Sequence, residues 1–235
     1  MTISVIIPTF NESSTISETL SHAASLGFDE LIVVDGGSSD QTRTIVETFI
    51  SGTQSSALST VRLLSAPRGR ATQLNAGAQA GRGEILLFLH ADTHLPATAK
   101  QRIAAALVDT HIVGGRFDVR FDRPSVLGRI ISTLMNYRSR WSGIFTGDQA
   151  IFVRRDIFKR LGGFADIPLM EDIDFSTRLK RAGPTEALRE TVVTSFRRWE
   201  QQGTLKTILL MWTLRFLYWM GVSPHRLKNF YATVR

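Results

Sequence analysis

Short apolar runs alternate with helical stretches through about 110 residues, and that rhythm restricts the fold more than any other feature. Residues 3–7, 30–34, 61–65 and 85–89 read as strands. Between them, 13–26, 40–50 and 71–80 read as helices, the first with Ile16, Leu20, Ala23 and Ala24 on one face. The run from Ile85 to Leu89 is apolar on both faces, which suits a central strand covered on both sides. Repeated strand–helix–strand units predict an α/β fold, a parallel sheet with right-handed crossovers and helices on both faces. In open sheets of this kind ligands bind beyond the carboxyl ends of the strands. The polar residues that end each run are therefore the candidate site.

The first run ends in Pro8-Thr9-Phe10-Asn11-Glu12, the second at Asp35, and the fourth at His90-Ala91-Asp92. A buried Asp35 could accept from uracil N3–H or a ribose hydroxyl. Arg68 and Arg70 open the third helix, where a guanidinium and free N–H groups both favour a phosphate. Asp92 is placed to hold Mn²⁺ or Mg²⁺, ions that take one or two carboxylates plus waters and phosphate oxygens. Each residue alone also fits a plain turn, cap or solvated charge. Their repetition at successive strand ends points to a nucleotide-diphosphate site.

Beyond residue 110 the alternation loosens. Residues 113–121 read as a strand, and 125–140 as an amphipathic helix carrying Val126, Ile130, Ile131 and Leu134. A strand at 150–153, a helix at 156–161, a helix at 171–182 ended by Gly183 and an edge strand at 191–195 follow. Residues 204–220 form a strongly apolar helix with Lys206 and Arg215 in it. It is short for a membrane span and carries a charge at its middle. It fits an interfacial helix, a helix packed on the domain, or a contact with a second copy.

The chain has no cysteine, which excludes disulfides, zinc–thiolate sites and cysteine nucleophiles. Residues 3–7 are preceded by no basic segment and followed at once by Pro8, so they read as a first strand rather than a signal peptide. The net charge of +7 lies wholly in residues 154–235, which hold 15 Lys/Arg against 8 Asp/Glu. A basic end beside an apolar helix suits an anionic substrate or membrane surface. No nucleic-acid motif accompanies it, so nucleic acid is not an expected partner.

Ser-Val-Ile-Ile-Pro-Thr-Phe-Asn-Glu (4–12), Val-Val-Asp-Gly-Gly-Ser-Ser-Asp (33–40), His-Ala-Asp (90–92) and Met-Glu-Asp-Ile-Asp-Phe (170–175) occur in this order. Together they resemble a family 2 glycosyltransferase of GT-A fold over roughly residues 3–183. Arg-Gly-Arg-Ala-Thr-Gln-Leu-Asn-Ala-Gly-Ala (68–78) is also similar to a compact bacterial branch associated with arsenosugar biosynthesis. The resemblance implies a Rossmann-like, mainly parallel central sheet with helices on both faces, plus the apolar C-terminal helix. It implies a catalytic domain over 1–195 and a basic, apolar helical extension over 196–235. It puts Pro8, Thr9, Glu12, Asp35 and Asp40 on nucleoside-binding positions and Asp92 on the last carboxylate of the metal motif, while Arg70 is a phosphate candidate by its place at a helix start. His90 replaces that motif's first carboxylate. Asp172 falls on the general base, with Glu171 on the acceptor side. Arg198-Trp199 resembles the end of a Gln-x-x-Arg-Trp motif, but Ser195 stands at the Gln position, so processive synthesis is not implied.

The implied activity is metal-dependent, inverting transfer of a sugar from a nucleotide donor, UDP-linked, to a hydroxyl on a small molecule or lipid. The expected location is cytoplasmic, with peripheral contact to the inner membrane face, or a homodimer, through 204–220. Two other classes compete. One is a sugar-1-phosphate nucleotidyltransferase, which would use a Gly-rich N-terminal loop that this chain lacks. The other is a non-catalytic nucleotide-sugar-binding or membrane-recruitment protein. A rival metal cluster of His90, Asp92 and His94 lacks a fourth ligand nearby, and a solvated His94 is the plainer reading.

Overall fold

The structure, a computed structural model, describes residues 1–53, 60–123, 125–196 and 203–234. Eight strands form one sheet: β1 (Ile3–Thr9), β2 (Glu30–Asp35), β3 (Thr60–Ser65), β4 (Ile85–Phe88), β5 (Thr93–His94), β6 (Gly114–Phe121), β7 (Phe152–Arg154) and β8 (Thr185–Thr194). Their order is β3-β2-β1-β4-β7-β6-β8-β5. The first four are parallel, with Thr9 level with Asp35 and Ile6 level with Phe88. The parallel run stops there. β7 is antiparallel to both β4 and β6, and β5 to β8, so the sheet is mixed, although four of its seven pairings are parallel.

The strand expected at 191–195 is longer and lies inside the sheet, parallel to β6 and antiparallel to β5. Glu186, Arg189 and Glu190 had hidden its first half from an apolar pattern.

Nine α-helices are described: α1 (Ile16–Ser25), α2 (Thr42–Thr53), α3 (Arg70–Ala80), α4 (Ala99–Ala106), α5 (Val126–Ser142), α6 (Arg155–Arg160), α7 (Glu171–Ala182), α8 (Thr204–Trp219) and α9 (Pro224–Val234). Alternate strand residues feed two cores. Val5, Ile7, Leu31, Val33 and Leu87 pack with α1 and α4 on one face. Ile6, Ile32, Val34, Leu86 and Phe88 pack with α3, α6 and α7 on the other. The period of two explains this division in a sheet buried on both sides. The small residues of α3 let it lie close: a Cβ on Gly77 would sit 2.4 Å from Ile6 Cγ2.

α5 turns its apolar stripe outward. Val126, Leu127, Ile130, Leu134, Tyr137 and Trp141 are exposed, while Gly128, Ile131, Ser132 and Ser139 face inward. Polar bonding sets this orientation. Asn136 exchanges two hydrogen bonds with the Val119 backbone, and Arg140 donates to Ala187 O and pairs with Asp118. One side of α8 packs Leu210 and Leu214 with Met170 of the loop before α7 and Leu227 of α9. Its other side exposes Leu209, Trp212, Phe216 and Trp219. Among the described residues no helix is long and apolar enough to cross a membrane.

Candidate functional site

The loops after β1 and β2 are laced together. Asn11, at φ 55°, donates its N–H to Ser38 Oγ and accepts at Oδ1 from Ser39 N–H. Glu12 N–H donates to Thr42 Oγ1, and Ser13 N–H to Asp40. Asp40 also takes the Thr42 hydroxyl and N–H, and those hydrogen bonds hold its carboxyl below the usual range. It thus caps the start of α2.

Thr9 is buried, and its hydroxyl reaches Val34 O at 3.4 Å. Pro8 is half-buried beside it. Gln73 on α3 donates to both Thr9 O and Val34 O at 2.8 Å, holding the two strand ends side by side.

Asp35 is fully buried, and its oxygens are already engaged. They accept from the N–H groups of Gly37 and Ser38 and from the Ser38 hydroxyl, and Arg43 Nη1 lies 3.4 Å away. A base or ribose donor would share or displace the Ser38 hydroxyl to reach it. Phe10 carries the Arg68 guanidinium 3.9 Å above its ring, so Arg68 is held at the mouth of this edge.

The second half of the site gathers around the start of α7. Asp172 Oδ2 accepts from Gly147 N–H at 2.8 Å, and Oδ1 from Ile173 N–H at 2.8 Å. Gly147 opens a 3-10 turn, Gly147–Gln149. A Cβ there would lie 2.5 Å from His90 Nε2, so the imidazole rests directly on this glycine. His90 Nδ1 is 3.2 Å from Asp148 Oδ1. The end of β4, the 3-10 turn and the α7 N-terminus therefore meet.

Glu171 is buried, and its Oε1 lies 3.4 Å from Arg70 Nη1. Burial pushes its carboxyl up, against the pull of Arg70 and with the push of Asp172. Arg70 thus links the start of α3 to the residue next to Asp172.

Asp92 is half-buried, with a Thr93 hydroxyl 3.5 Å from Oδ1. His90 is turned to Asp148 and His94 to α1, where its ring lies 4.9 Å from His22 and its Nε2 3.8 Å from Glu18. The trio His90, Asp92 and His94 does not converge. β5 pairing with β8 fixes His94 on the far side. Among the described residues no three His, Asp or Glu side chains could hold a metal by themselves. Asp92 offers a half-buried carboxylate just past the end of β4, outside any three-ligand cluster among the described residues. That fits a hard divalent cation carried mainly by a diphosphate, and does not fit a resident ion caged by protein.

Arg198 and Trp199 lie outside the described residues. Gly147 and Asp148 carry no signal in the sequence, and Asn11 and Gln73 stand there only as members of longer motifs. Gly147-Asp148 had the look of an ordinary turn, and Gln73 sat inside a helix of small residues.

Residues 4–162 match the family Glycosyl transferase family 2. The chain is 27% identical over 216 residues to "Probable glycosyltransferase YdaM" of Bacillus subtilis, covering 85% of this chain and 50% of that protein. It is 31% identical over 193 residues to "PGL/p-HBAD biosynthesis glycosyltransferase" of Mycobacterium bovis, covering 74% of this chain and 68% of that protein. A mannosyltransferase, PcManGT from Pyrobaculum calidifontis in complex with GDP-Man and Mn²⁺, superposes with TM-score 0.65 at 24% identity, covering 82% of this chain and 56% of that one. TarS 1–349 of S. aureus in complex with UDP-GlcNAc superposes with TM-score 0.56 at 21% identity, covering 83% and 56%. The chain spans half the length of the first of these relatives.

Proposed function

The chain belongs to glycosyl transferase family 2, and from that premise we propose that it is an inverting glycosyltransferase that moves a sugar from a UDP-linked donor to a hydroxyl acceptor. The observation that carries the reading is Asp172, fixed by the Gly147 N–H in a cluster that joins the β4 end to α7. In the proposed reaction an acceptor oxygen attacks the anomeric carbon and gives its proton to Asp172. The sugar–phosphate bond breaks, and UDP leaves with the bonding pair. Attack from the face opposite the leaving group inverts the anomeric centre, as in inverting hydrolysis.

The loops at 8–12 and 35–42, through Pro8, Thr9, Glu12, Asp35 and Asp40, take the nucleoside, and Arg70 faces the phosphates while pairing with Glu171. Asp92 would hold Mn²⁺ or Mg²⁺, which supplies positive charge to the leaving diphosphate when bound. The PcManGT complex with GDP-Man and Mn²⁺ and the TarS complex with UDP-GlcNAc support a nucleotide-sugar donor. Asp35 and its uracil partner are the reason for choosing UDP.

We read 1–195 as the catalytic part and 196–235 as a basic, apolar helical extension, and assign Glu171, Arg198 and Trp199 to the acceptor by the family resemblance. Its outward Trp212, Phe216 and Trp219 beside the basic C-terminal segment fit peripheral contact with the inner membrane face of a cytoplasmic protein. A second copy covering the same residues is the competing occupant. The narrower likeness to the arsenosugar-associated branch rests on residues 68–78 alone.

Asp172→Asn tests the reaction. It keeps the side chain's size but cannot take a proton. Donor binding by calorimetry should persist while sugar transfer falls about 10²-fold or more. Near-normal transfer by the folded variant would return Asp172 to the role of a helix-start carboxylate.

A further inference from the structure

Met170 holds a backbone conformation that its own side chain does not favour. It lies at φ 70° and ψ 18°, in the left-handed region, directly before Glu171 and Asp172. That region suits glycine and, less well, asparagine, whose amide can bond locally. Asn11, in the loop after β1, is such a case, since its Oδ1 accepts from Ser39 N–H. The Met170 side chain makes no capping hydrogen bond to α7. Yet its carbonyl accepts the Asp174 N–H at 3.0 Å, the contact that closes the first turn of that helix. The bend at Met170 therefore sets the direction in which α7 starts, and with it the direction of Asp172.

The hold on this bend comes from α8 and α9. Met170 is buried and packs with Leu210 and Leu214 of α8 and Leu227 of α9, all three buried as well. Leu169 and Ile173, which flank Met170-Glu171-Asp172, lean on the same cluster together with Tyr218 of α8. A left-handed residue other than glycine persists only where its surroundings over-determine it. Burial of an apolar side chain in a close-packed cluster supplies that constraint. Asp172 then has two anchors, the Gly147 N–H on its carboxylate and the Met170 bend before its backbone. The first orients the oxygens, and the second places the main chain that carries them.

We infer that Met170 is a positioning residue for Asp172, and that α8 and α9 clamp it so that the proposed base stays aimed. The inference rests on the reading of Asp172 as the base. It gives α8 and α9 a task in the reaction besides any contact that the outer face of α8 makes. Glycine at 170 would relieve the backbone but release the anchor, and the bend would then sample both signs of φ. Loss of packing on α8 would have the same effect from a distance, with residue 170 untouched. The loops at 8–12 and 35–42 contribute no residue to this cluster, so nucleotide affinity is independent of it.

The test uses Leu214→Ala, Met170→Gly and Met170→Leu in the full chain, each held well below its melting temperature. Hydrogen exchange of the peptide covering 169–176 reads the Asp174 N–H, and calorimetry reads UDP affinity with Mn²⁺. Release of UDP from UDP-glucose and UDP-GlcNAc, with water and with glycerol as the attacking hydroxyl, reads turnover. In Leu214→Ala and Met170→Gly that peptide should exchange about tenfold or more faster, the mark of a local opening. The kcat should fall about tenfold or more, as for a slightly misplaced reacting group, while donor KM and UDP affinity stay within about twofold. Met170→Leu, which restores an apolar anchor, should recover most of both losses. Leu209→Ala, on the exposed side of α8, should change neither. A folded Leu214→Ala protein with wild-type exchange at 169–176, or with wild-type kcat, overturns the clamp. Faster exchange in both variants of a chain that neither binds UDP nor releases it keeps the clamp and sinks the donor reading instead.

Discussion

Gly147 donates its backbone N–H to Asp172 Oδ2 at 2.8 Å, across 25 positions of sequence. This bond sets the direction of the carboxylate from outside its own helix. The glycine is required on its other side as well, since a Cβ would lie 2.5 Å from His90 Nε2.

Gly147→Ala should therefore disturb two contacts at once. The ring must shift off Asp148, or the 3-10 turn must move off Asp172. Overpacking of this kind costs about 1–3 kcal/mol. Thermal unfolding should report that loss, and transfer should fall further than stability alone explains. An Ala variant with wild-type transfer would show that His90 and Asp172 are not held through this residue.

Asp92→Ala removes the carboxylate proposed to hold a divalent ion at the β4 end. UDP affinity measured with Mn²⁺ should drop to the value measured with chelator. The wild type should bind UDP better with Mn²⁺ than without. Identical affinities in both conditions for the wild type would remove the metal from the proposal.

Asp35 has a structural task besides any contact with a base. It organises the Gly37-Ser38 turn and pairs with Arg43. Asp35→Ala should weaken UDP binding by roughly 1–3 kcal/mol, the range for a lost charged hydrogen bond. It should also lower the melting temperature, because Arg43 and two N–H groups lose their acceptor. Competition of GDP against UDP on the wild type reads the base choice itself, and equal competition would count against a uracil contact.

Glu171 gives a pH signature. Burial raises its carboxyl above the ordinary value of 4.5, so the folded chain holds this proton more tightly than the unfolded chain. The corresponding stability is fully present below 4.5 and is lost as pH rises through the folded value. Glu171→Gln never ionises. Its unfolding midpoint relative to the wild type should rise between pH 4 and pH 8. A constant difference across that range would mean that Arg70 fully offsets the burial.

The strand ends were legible because each apolar run stops abruptly at a polar residue. Asp35 and Asp92 stood out for that reason, and the packed sheet does end close to both. The inner half of the sheet was not legible. β8 carries Glu186, Arg189 and Glu190 and pairs on both sides, so its hydrogen bonding rather than its composition makes it a strand. The facing of α5 was hidden for a related reason. Asn136 and Arg140 anchor the polar side to β6 and β8, which forces Val126, Ile130 and Leu134 outward against the usual rule. Gly147 matters through what it touches in space, and a single sequence carries no mark of that.

Gly77 shows how far from the chemistry a constraint can sit. The helix that carries it also carries Arg70 at its first position and Gln73 one turn on. With Ile6 Cγ2 2.4 Å from where a Cβ would stand, one added methyl acts like a wedge under a lever. The far end of that lever is the Arg70 guanidinium, which the proposed function sets against the donor phosphates. A neutral, buried residue that meets no ligand thus governs the reach of a charged one, and allelic damage at this position would masquerade as a binding defect.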